Sequence, residues 1–218
     1  METHFEMEIE ALRQKLLSMA RQTEGIVRQS VEALLKRDVE LAARVVAGDD
    51  AIDEIEVEVD EAAVLLLTKA PLATDLRFMP VAMKCSQNLE RIGDEATKIA
   101  KRTQDLAEEP PLEPQPDAQG MAEAALGMLR AAIGALERRD PAAARAVIPR
   151  DKEVDALNRG IRAALVLEMQ EHPNTVSRCL HWITAVKSLE RIADHSKNIA
   201  EEVVYLCEAQ DIRHMQKM

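Results

Sequence analysis

Acidic residues spaced four positions apart occur as four separate pairs in this sequence. The pairs are Asp49 with Asp53, Glu90 with Asp94, Asp151 with Asp155, and Glu190 with Asp194. Residues four apart are neighbours on one face of an α-helix, where two like charges destabilise the helix by roughly 0.2–0.5 kcal/mol. A divalent cation would remove this repulsion, and carboxylate oxygens suit Mg²⁺, Mn²⁺, Fe²⁺ and Ca²⁺. The pattern therefore predicts metal binding with a structural or electrostatic role.

Ordinary solvated helix faces are the competing interpretation of these pairs. Because 39 of the 218 residues are acidic, a single pair at this spacing carries no weight. Two pairs on adjacent helices are more specific, since antiparallel helices pack roughly 8–10 Å apart and would bring four carboxylates together. On spacing alone, both the metal site and the solvated face stay open.

The pairs lie within a tandem duplication that covers most of the chain. KRDVELAARVV at 36–46 matches RRDPAAARAVI at 138–148, and NLERIGDEATKIA at 88–100 matches SLERIADHSKNIA at 188–200. Each copy therefore contains one acidic pair in its middle part and one in its last part.

The stretch EEPPLEPQPDAQG at 108–120 separates the two copies. Its prolines cannot continue a helix, so it predicts a semi-rigid linker. Four prolines belong to this stretch: Pro110, Pro111, Pro114 and Pro116. We therefore predict a first domain over residues 1–107, a linker over 108–119 and a second domain over 120–218.

Apolar residues at alternating spacings of four and three indicate three helices in each copy. In the first copy these stripes run from Phe5 to Ile26, from Leu41 to Leu66 and from Cys85 to Ile99. Three amphipathic helices with short connections favour an antiparallel three-helix bundle. The predicted fold class is all-α, with two tandem three-helix bundles related by a pseudo-twofold axis.

Capping residues and prolines set the expected helix boundaries. Asp38 and Asp140 stand at N-cap positions, so we expect each second helix to begin there. Pro71 and Pro173 are expected to end these helices. Pro80 lies inside the third stripe and predicts a kink or a delayed helix start.

The apolar stripes also determine where the acidic pairs should point. Leu89 and Ile92 are core positions, so Glu90 and Asp94 are expected to face outward. The same reasoning places the other three pairs on the bundle surface.

Composition excludes several classes of function. A net charge of −11 and four aromatic residues argue against nucleic-acid binding. Cys85, Cys179 and Cys207 are odd in number and far apart, which suggests neither a disulfide framework nor a zinc site. No apolar run approaches the ~20 residues of a membrane span, and the acidic start METHFEMEIE is unlike a signal peptide. We expect a cytoplasmic protein without direct membrane insertion.

Enzyme motifs are missing from the sequence. There is no glycine-rich phosphate loop, nucleophile elbow or H-E-x-x-H, so we expect no enzyme activity. A metal-dependent hydrolase and a purely structural helical scaffold are the alternatives. Arg91 and Arg191 follow the Glu of each third helix and would form salt bridges or bind an anion or partner. His195 is expected to be solvated.

The motifs LERIGD and LERIAD, with DDAID, RDKEVD and the DLR that follows Pro71, resemble those of the PhoU family of phosphate-signalling regulators. The resemblance extends from about Phe5 to about Tyr205. It implies multinuclear clusters of divalent ions on two three-helix bundles, with Fe, Mn, Mg or Zn left open as the metal. Carried over by position, the ligands are Asp49, Asp53, Glu90 and Asp94 in one site, and Asp151, Asp155, Glu190 and Asp194 in the other.

The resemblance also implies a function. Proteins of this family look like cytoplasmic adaptors between the ATPase subunit of the phosphate ABC transporter and a sensor histidine kinase. They restrain the phosphate-starvation response and phosphate uptake when phosphate is plentiful. A homodimer is a further expectation from the resemblance.

Overall fold

Helices make up nearly all of the described chain. The computed structural model describes residues 4–69, 73–113 and 115–213, and no strand occurs among them. The helices are α1 (His4–Lys36), α2 (Val39–Ala47), α3 (Asp50–Leu67), α4 (Ala73–Ala107), α5 (Gln119–Arg138), α6 (Pro141–Val147), α7 (Asp151–Glu171) and α8 (Val176–Glu208), with 3₁₀ turns at Ile148–Arg150 and Pro173–Thr175. In this described part, no helix has the combined length and apolar character that crossing a membrane requires.

The arrangement confirms the predicted fold class of two three-helix bundles. In the first copy α3 packs against α1 and α4, and in the second copy α7 packs against α5 and α8. The predicted apolar stripes are core positions: Leu16, Val59 and Leu89 are all buried. The free thiols of Cys85 and Cys179 are buried in the same core.

The middle helix of each copy is divided in two, whereas the stripe predicted one continuous helix. In the first copy α2 ends at Ala47, and Gly48, a weak helix former, separates it from α3. In the second copy Pro149 lies in the 3₁₀ turn between α6 and α7, where it has no backbone N–H to donate to a continuous helix. Both breaks fall just before an acidic pair.

The predicted N-caps are confirmed. Asp38 Oδ1 accepts a hydrogen bond from Leu41 N at 2.8 Å, and Asp140 Oδ1 accepts one from Ala143 N at 2.9 Å. A side chain that satisfies these free N–H groups stabilises a helix start by about 1 kcal/mol. The middle helices therefore begin where the sequence indicated.

The predicted proline effects have mixed outcomes. Pro173 follows the end of α7 at Glu171, as expected, and Pro71 lies outside the described residues. The delayed start near Pro80 is wrong, because α4 begins at Ala73 and continues through the proline. Pro80 is exposed and stands in an early turn of α4, where solvent can hydrate the carbonyl that it leaves unpaired.

Side chains from both copies hold the connection between them. Arg37 donates to the carbonyl of Glu109 at 2.5 Å, and Arg178 donates to those of Pro110 and Pro111 at 3.2 Å. Leu112 is buried in the core. Pro114 lies outside the described residues, and the division into domains at 108–119 stays a prediction.

The antiparallel pairing of α4 and α8 joins the two copies into one core. Lys84 near the start of α4 binds Glu202 near the end of α8 at 3.1 Å. At the opposite end, Arg102 of α4 lies 3.4 Å from the His181 ring near the start of α8. The buried side chains of both copies form one continuous cluster. The copies are therefore halves of one packed unit, with α4 and α8 at its centre.

Candidate metal-binding sites

The first acidic cluster lies where the start of α3 crosses α4. It consists of Asp49 and Asp53 from the α3 side and Glu90 and Asp94 from α4. Contact here is close: a Cβ added at Gly93 would lie 3.4 Å from Asp49 Oδ1 and 3.4 Å from Ile52 Cδ1. Gly93 immediately precedes Asp94, so its small size lets the Asp49 carboxylate approach α4 beside that residue.

The carboxylates of the first cluster raise one another's pKa. Burial raises the pKa of Asp49, and the carboxylates of Asp53 and Asp94 raise it further. The pKa of Asp53 is raised by burial and then by Asp94, and the pKa of Glu90 is raised by the same two causes. The four residues predicted from sequence are therefore close enough to repel one another.

Thr97 also belongs to the surroundings of the first cluster. Its hydroxyl is buried and makes no hydrogen bond of normal geometry. It nevertheless lies close enough to Asp49 to lower the pKa of that carboxyl and offset part of the effect of burial. The hydroxyl oxygen therefore keeps a lone pair that is free to bind a cation beside the carboxylates.

Two acidic residues that were not predicted as ligands, Glu56 and Asp60, extend the first cluster along α3. Burial raises the pKa of Glu56, and the carboxylates of Asp60 and Asp53 raise it further. Burial likewise raises the pKa of Asp60. Glu56 and Asp60 are again four apart, so the spacing that identified the other pairs could have found them.

The second acidic cluster lies at the matching place between α7 and α8 and contains a lysine. Its predicted members are Asp151, Asp155, Glu190 and Asp194. Lys197 Nζ lies 2.7 Å from Asp151 Oδ2. Glu190 pairs with Lys187. The outward position predicted for Asp151 is wrong: it is 8% exposed because α8 places Lys197 against it.

Asp194 is the most perturbed carboxyl group of the second cluster. Burial raises its pKa to about 6, with further contributions from the negative charges of Asp151 and Glu190. Lys197 offsets only part of this effect. All four predicted members of the cluster are coupled, since Asp155 also raises the pKa of Asp194.

The two clusters differ at positions related by the duplication. Thr97 and Lys197 occupy the same place in α4 and α8, and Glu56 and Asn158 occupy the same place in α3 and α7. At these positions the first cluster has a carboxylate where the second has an amide, and the second has an ammonium group where the first has a hydroxyl. Both differences make the first cluster more negative, but Lys98, 4.0 Å from Asp94, and Lys101, which lowers the pKa of Asp49, match Asn198 and Glu201 and act in the opposite sense.

Both clusters contain buried oxygen atoms that accept no hydrogen bond and are therefore free to bind a cation. Asp151 Oδ1 and Asn158 Oδ1 are buried and accept no hydrogen bond, and the Thr97 hydroxyl oxygen, which lies beside Asp49, accepts none either. Carboxylate, amide and hydroxyl oxygens are ligands for Mg²⁺, Mn²⁺, Fe²⁺ or Ca²⁺. As the side chains stand in the described residues, no three His, Cys, Asp or Glu groups converge on one ion. Metal binding here therefore stays a prediction.

The two arginines predicted beside the clusters form salt bridges. Arg91 Nε lies 3.4 Å from Glu90, and Arg191 Nη1 lies 3.1 Å from Glu95 on α4. Glu95 is buried, which alone would raise its pKa, but hydrogen bonds from Ser188, Lys98 and Arg191 lower it. Both arginines remain about half exposed, at 56% and 52%, so a partner could still reach them.

His195 is part of the packing between α4 and α8, so the prediction that it is solvated is wrong. Its Nδ1 lies 2.9 Å from Asn88 Oδ1 on α4. Burial lowers its pKa and favours the neutral ring. The residue that matches it in the first copy is Glu95, which occupies a similar place between the same helices.

Fold and sites together define a duplicated helical protein with one acidic cluster on each side of a central helix pair. A family model described as the PhoU domain matches residues 16–103 and 119–203. The chain belongs to the PhoU family.

Named relatives are similar over nearly the whole chain. It is 39% identical to a phosphate-specific transport system accessory protein PhoU homolog of Pseudomonas putida over 97% of this chain and 83% of that one. It is 32% identical to the accessory protein PhoU of Escherichia coli K12, over 97% and 88%. A crystal structure of PhoU from Pseudomonas aeruginosa superposes with a TM-score of 0.92 at 38% identity, covering 95% of this chain and all of that one.

We predict that Asp194→Asn stabilises the metal-free protein at pH 8. The folded state keeps the Asp194 pKa near 6, above the ordinary 3.8, so its charged form opposes folding at high pH. Discounted for partial exposure, the increase in the free energy of unfolding is about 1–2 kcal/mol at pH 8, and it disappears as the pH falls through 6 to 4. Urea denaturation in EDTA at several pH values measures it. The exposed Asp117→Asn control should show no such trend; equal stability of wild type and Asp194→Asn at pH 8 would contradict the prediction.

We predict that Lys197→Thr destabilises the metal-free protein by about 1–3 kcal/mol, because it leaves the buried Asp151 carboxylate without its counter-charge. Added Mn²⁺ should recover more stability in this variant than in the wild type. The reciprocal Thr97→Lys should stabilise the metal-free protein and reduce the effect of Mn²⁺. Thermal denaturation with EDTA or Mn²⁺ measures both, and an unchanged Lys197→Thr protein in EDTA would refute the account of Asp151.

Proposed function

We propose that this protein is a negative regulator of phosphate uptake and of the phosphate-starvation response. The supporting observation is the match over nearly the whole chain to proteins named phosphate-specific transport system accessory protein PhoU, together with the family match to both copies. A regulator that acts by binding needs surfaces and no reaction centre. The chain accordingly acts as a cytoplasmic adaptor and not as an enzyme.

Divalent cations bound at the two clusters complete the surface of the adaptor. In the first cluster an ion would connect Asp49 and Asp53 to Glu90 and Asp94, and so fasten α3 to α4. In the second it would connect α7 to α8 through the matching residues. Fe, Mn, Mg or Zn would supply positive charge to carboxylates that otherwise repel one another, and several carboxylates per cluster allow more than one ion. The role is structural and electrostatic.

The proposed partners are the ATPase subunit of the phosphate ABC transporter and a sensor histidine kinase. The acidic surface of the chain, whose net charge is −11, would steer its association with basic surfaces on these proteins. Arg91 and Arg191 stand beside the two clusters and are the proposed positive contacts. The adaptor is proposed to work as a homodimer.

Deleting the gene should switch on alkaline phosphatase and raise phosphate uptake in phosphate-rich medium. The wild-type gene should restore repression, and the Asp53→Ala/Asp94→Ala variant should not, because it removes one charge from each helix of the first cluster. Asp117→Ala/Glu123→Ala, which changes exposed acids outside the clusters, is the matched control and should repress normally. A deletion that changes neither output would exclude the proposed function.

Protein purified without chelator should contain divalent metal that depends on the clusters. We expect Asp53→Ala/Asp94→Ala to lose the metal of the first cluster and Asp155→Ala/Asp194→Ala to lose that of the second, while the Asp117→Ala/Glu123→Ala control keeps both. Elemental analysis per mole of protein measures this. Full metal content in both cluster variants would show that the ions bind elsewhere, and metal-free wild type under saturating metal would support the scaffold alternative.

A further inference from the structure

The outer surfaces of α3 and α7 share an exposed apolar pair. Val64 and Leu65 of α3 are 52% and 58% exposed, and Val166 and Leu167 of α7 are 43% and 58% exposed. The two pairs occupy the same place in the duplicated sequence. Single exposed apolar residues are common on proteins, but adjacent ones kept at matching positions of both copies mark these surfaces for contact.

Opposite charges surround the two apolar pairs. The acidic face of α3 consists of Asp50, Glu54, Glu58 and Glu61 around Val57, Val64 and Leu65. The basic face of α7 consists of Lys152, Arg159 and Arg162 around Val166 and Leu167. All of these charged residues are exposed. The apolar centre was therefore kept in both copies while the surrounding charge changed sign.

The charges differ at matching positions of α3 and α7. Lys152 replaces Asp50, and Arg162 replaces Asp60 at the edge of the acidic face. The positions of Glu54, Glu58 and Glu61 are Ala156, Gly160 and Ala163 in α7, so their negative charges are removed entirely.

The charges of the basic face are available for a partner. Among the described residues, no ion pair involves Lys152, Arg159 or Arg162, and none involves Glu54 or Glu61 of the acidic face. Arg159, Arg162, Val166 and Leu167 lie together on the open outer surface of α7. The charged and apolar groups of α7 therefore lie on a single surface.

We propose that the acidic face of α3 in one molecule binds the basic face of α7 in a second copy. The contact would bury both Val-Leu pairs and place arginines opposite glutamates, which gives the interface its specificity. The chain as a whole has a net charge of −11, so copies repel one another at long range, and the basic face is a local exception that favours association. The inference rests on the self-association proposed above. Because it joins unlike faces on opposite flanks of the molecule, the contact is head-to-tail and leaves one face of each kind free in a pair of copies.

Sedimentation velocity near physiological ionic strength, where the Debye length is about 8 Å, tests this interface. Wild type should associate reversibly. The basic-face variant Arg159→Glu/Arg162→Glu and the acidic-face variant Glu54→Arg/Glu61→Arg should each weaken self-association at least about tenfold, because like charges then face each other. Arg28→Glu/Arg44→Glu, which reverses exposed arginines of α1 and α2, is the matched control and should associate like wild type.

Mixing the two variants gives the decisive measurement. At the substituted positions each variant alone places like charges opposite one another, but together they place glutamates opposite arginines, so the mixture should associate more strongly than either component. Wild type that stays monomeric, variants that associate like wild type, or a mixture that fails to associate would each overturn the proposal. Repression of alkaline phosphatase and metal content are measured separately, so a monomer that still represses would refute this interface and leave the proposed function intact.

Discussion

The antiparallel packing of α4 against α8 determines where the other functional groups lie. Leu89 and Ile92 of α4, like Leu189 and Ile192 of α8, are fully buried. With these positions committed to the core, the acidic pairs of the two helices are left to opposite flanks, one beside α3 and the other beside α7. The central contact joins the two copies, with help from the contact of α1 with α5, while each cluster is formed by two helices of its own copy.

Buried carboxylates have different surroundings in the central α4–α8 contact and in the two acidic clusters. Glu95 lies between α4 and α8 with three hydrogen-bond donors, and its pKa is lowered despite burial. Asp194 is also partly buried but faces other carboxylates, and its pKa is raised to about 6. Between α4 and α8, therefore, hydrogen-bond donors compensate for the burial of a carboxylate. The flanking clusters keep their repulsion, which costs stability unless a cation is supplied.

The sequence predicted most of the fold because each helix has a strong local signal. Apolar spacing indicated the stripes, and Asp38 and Asp140 indicated the helix starts. The breaks near Gly48 and Pro149 were missed because the apolar stripe continues across them. In the candidate sites, the eight carboxylates followed from spacing, but Lys197 over Asp151 depends on a contact between two helices that no spacing within one helix reveals. His195 was misjudged for the same reason, since its partner Asn88 lies on the other central helix.

The covalent connection held by Arg37 and Arg178 has an evolutionary consequence. Two separate single-copy chains in this arrangement would form a symmetric pair, in which any substitution appears twice. Joining them into one polypeptide lets a gene change one half alone, as at Thr97 and Lys197. Fusion therefore makes the two halves of the molecule chemically different, which the subunits of an identical pair cannot be. Two different binding partners can then each bind a different half.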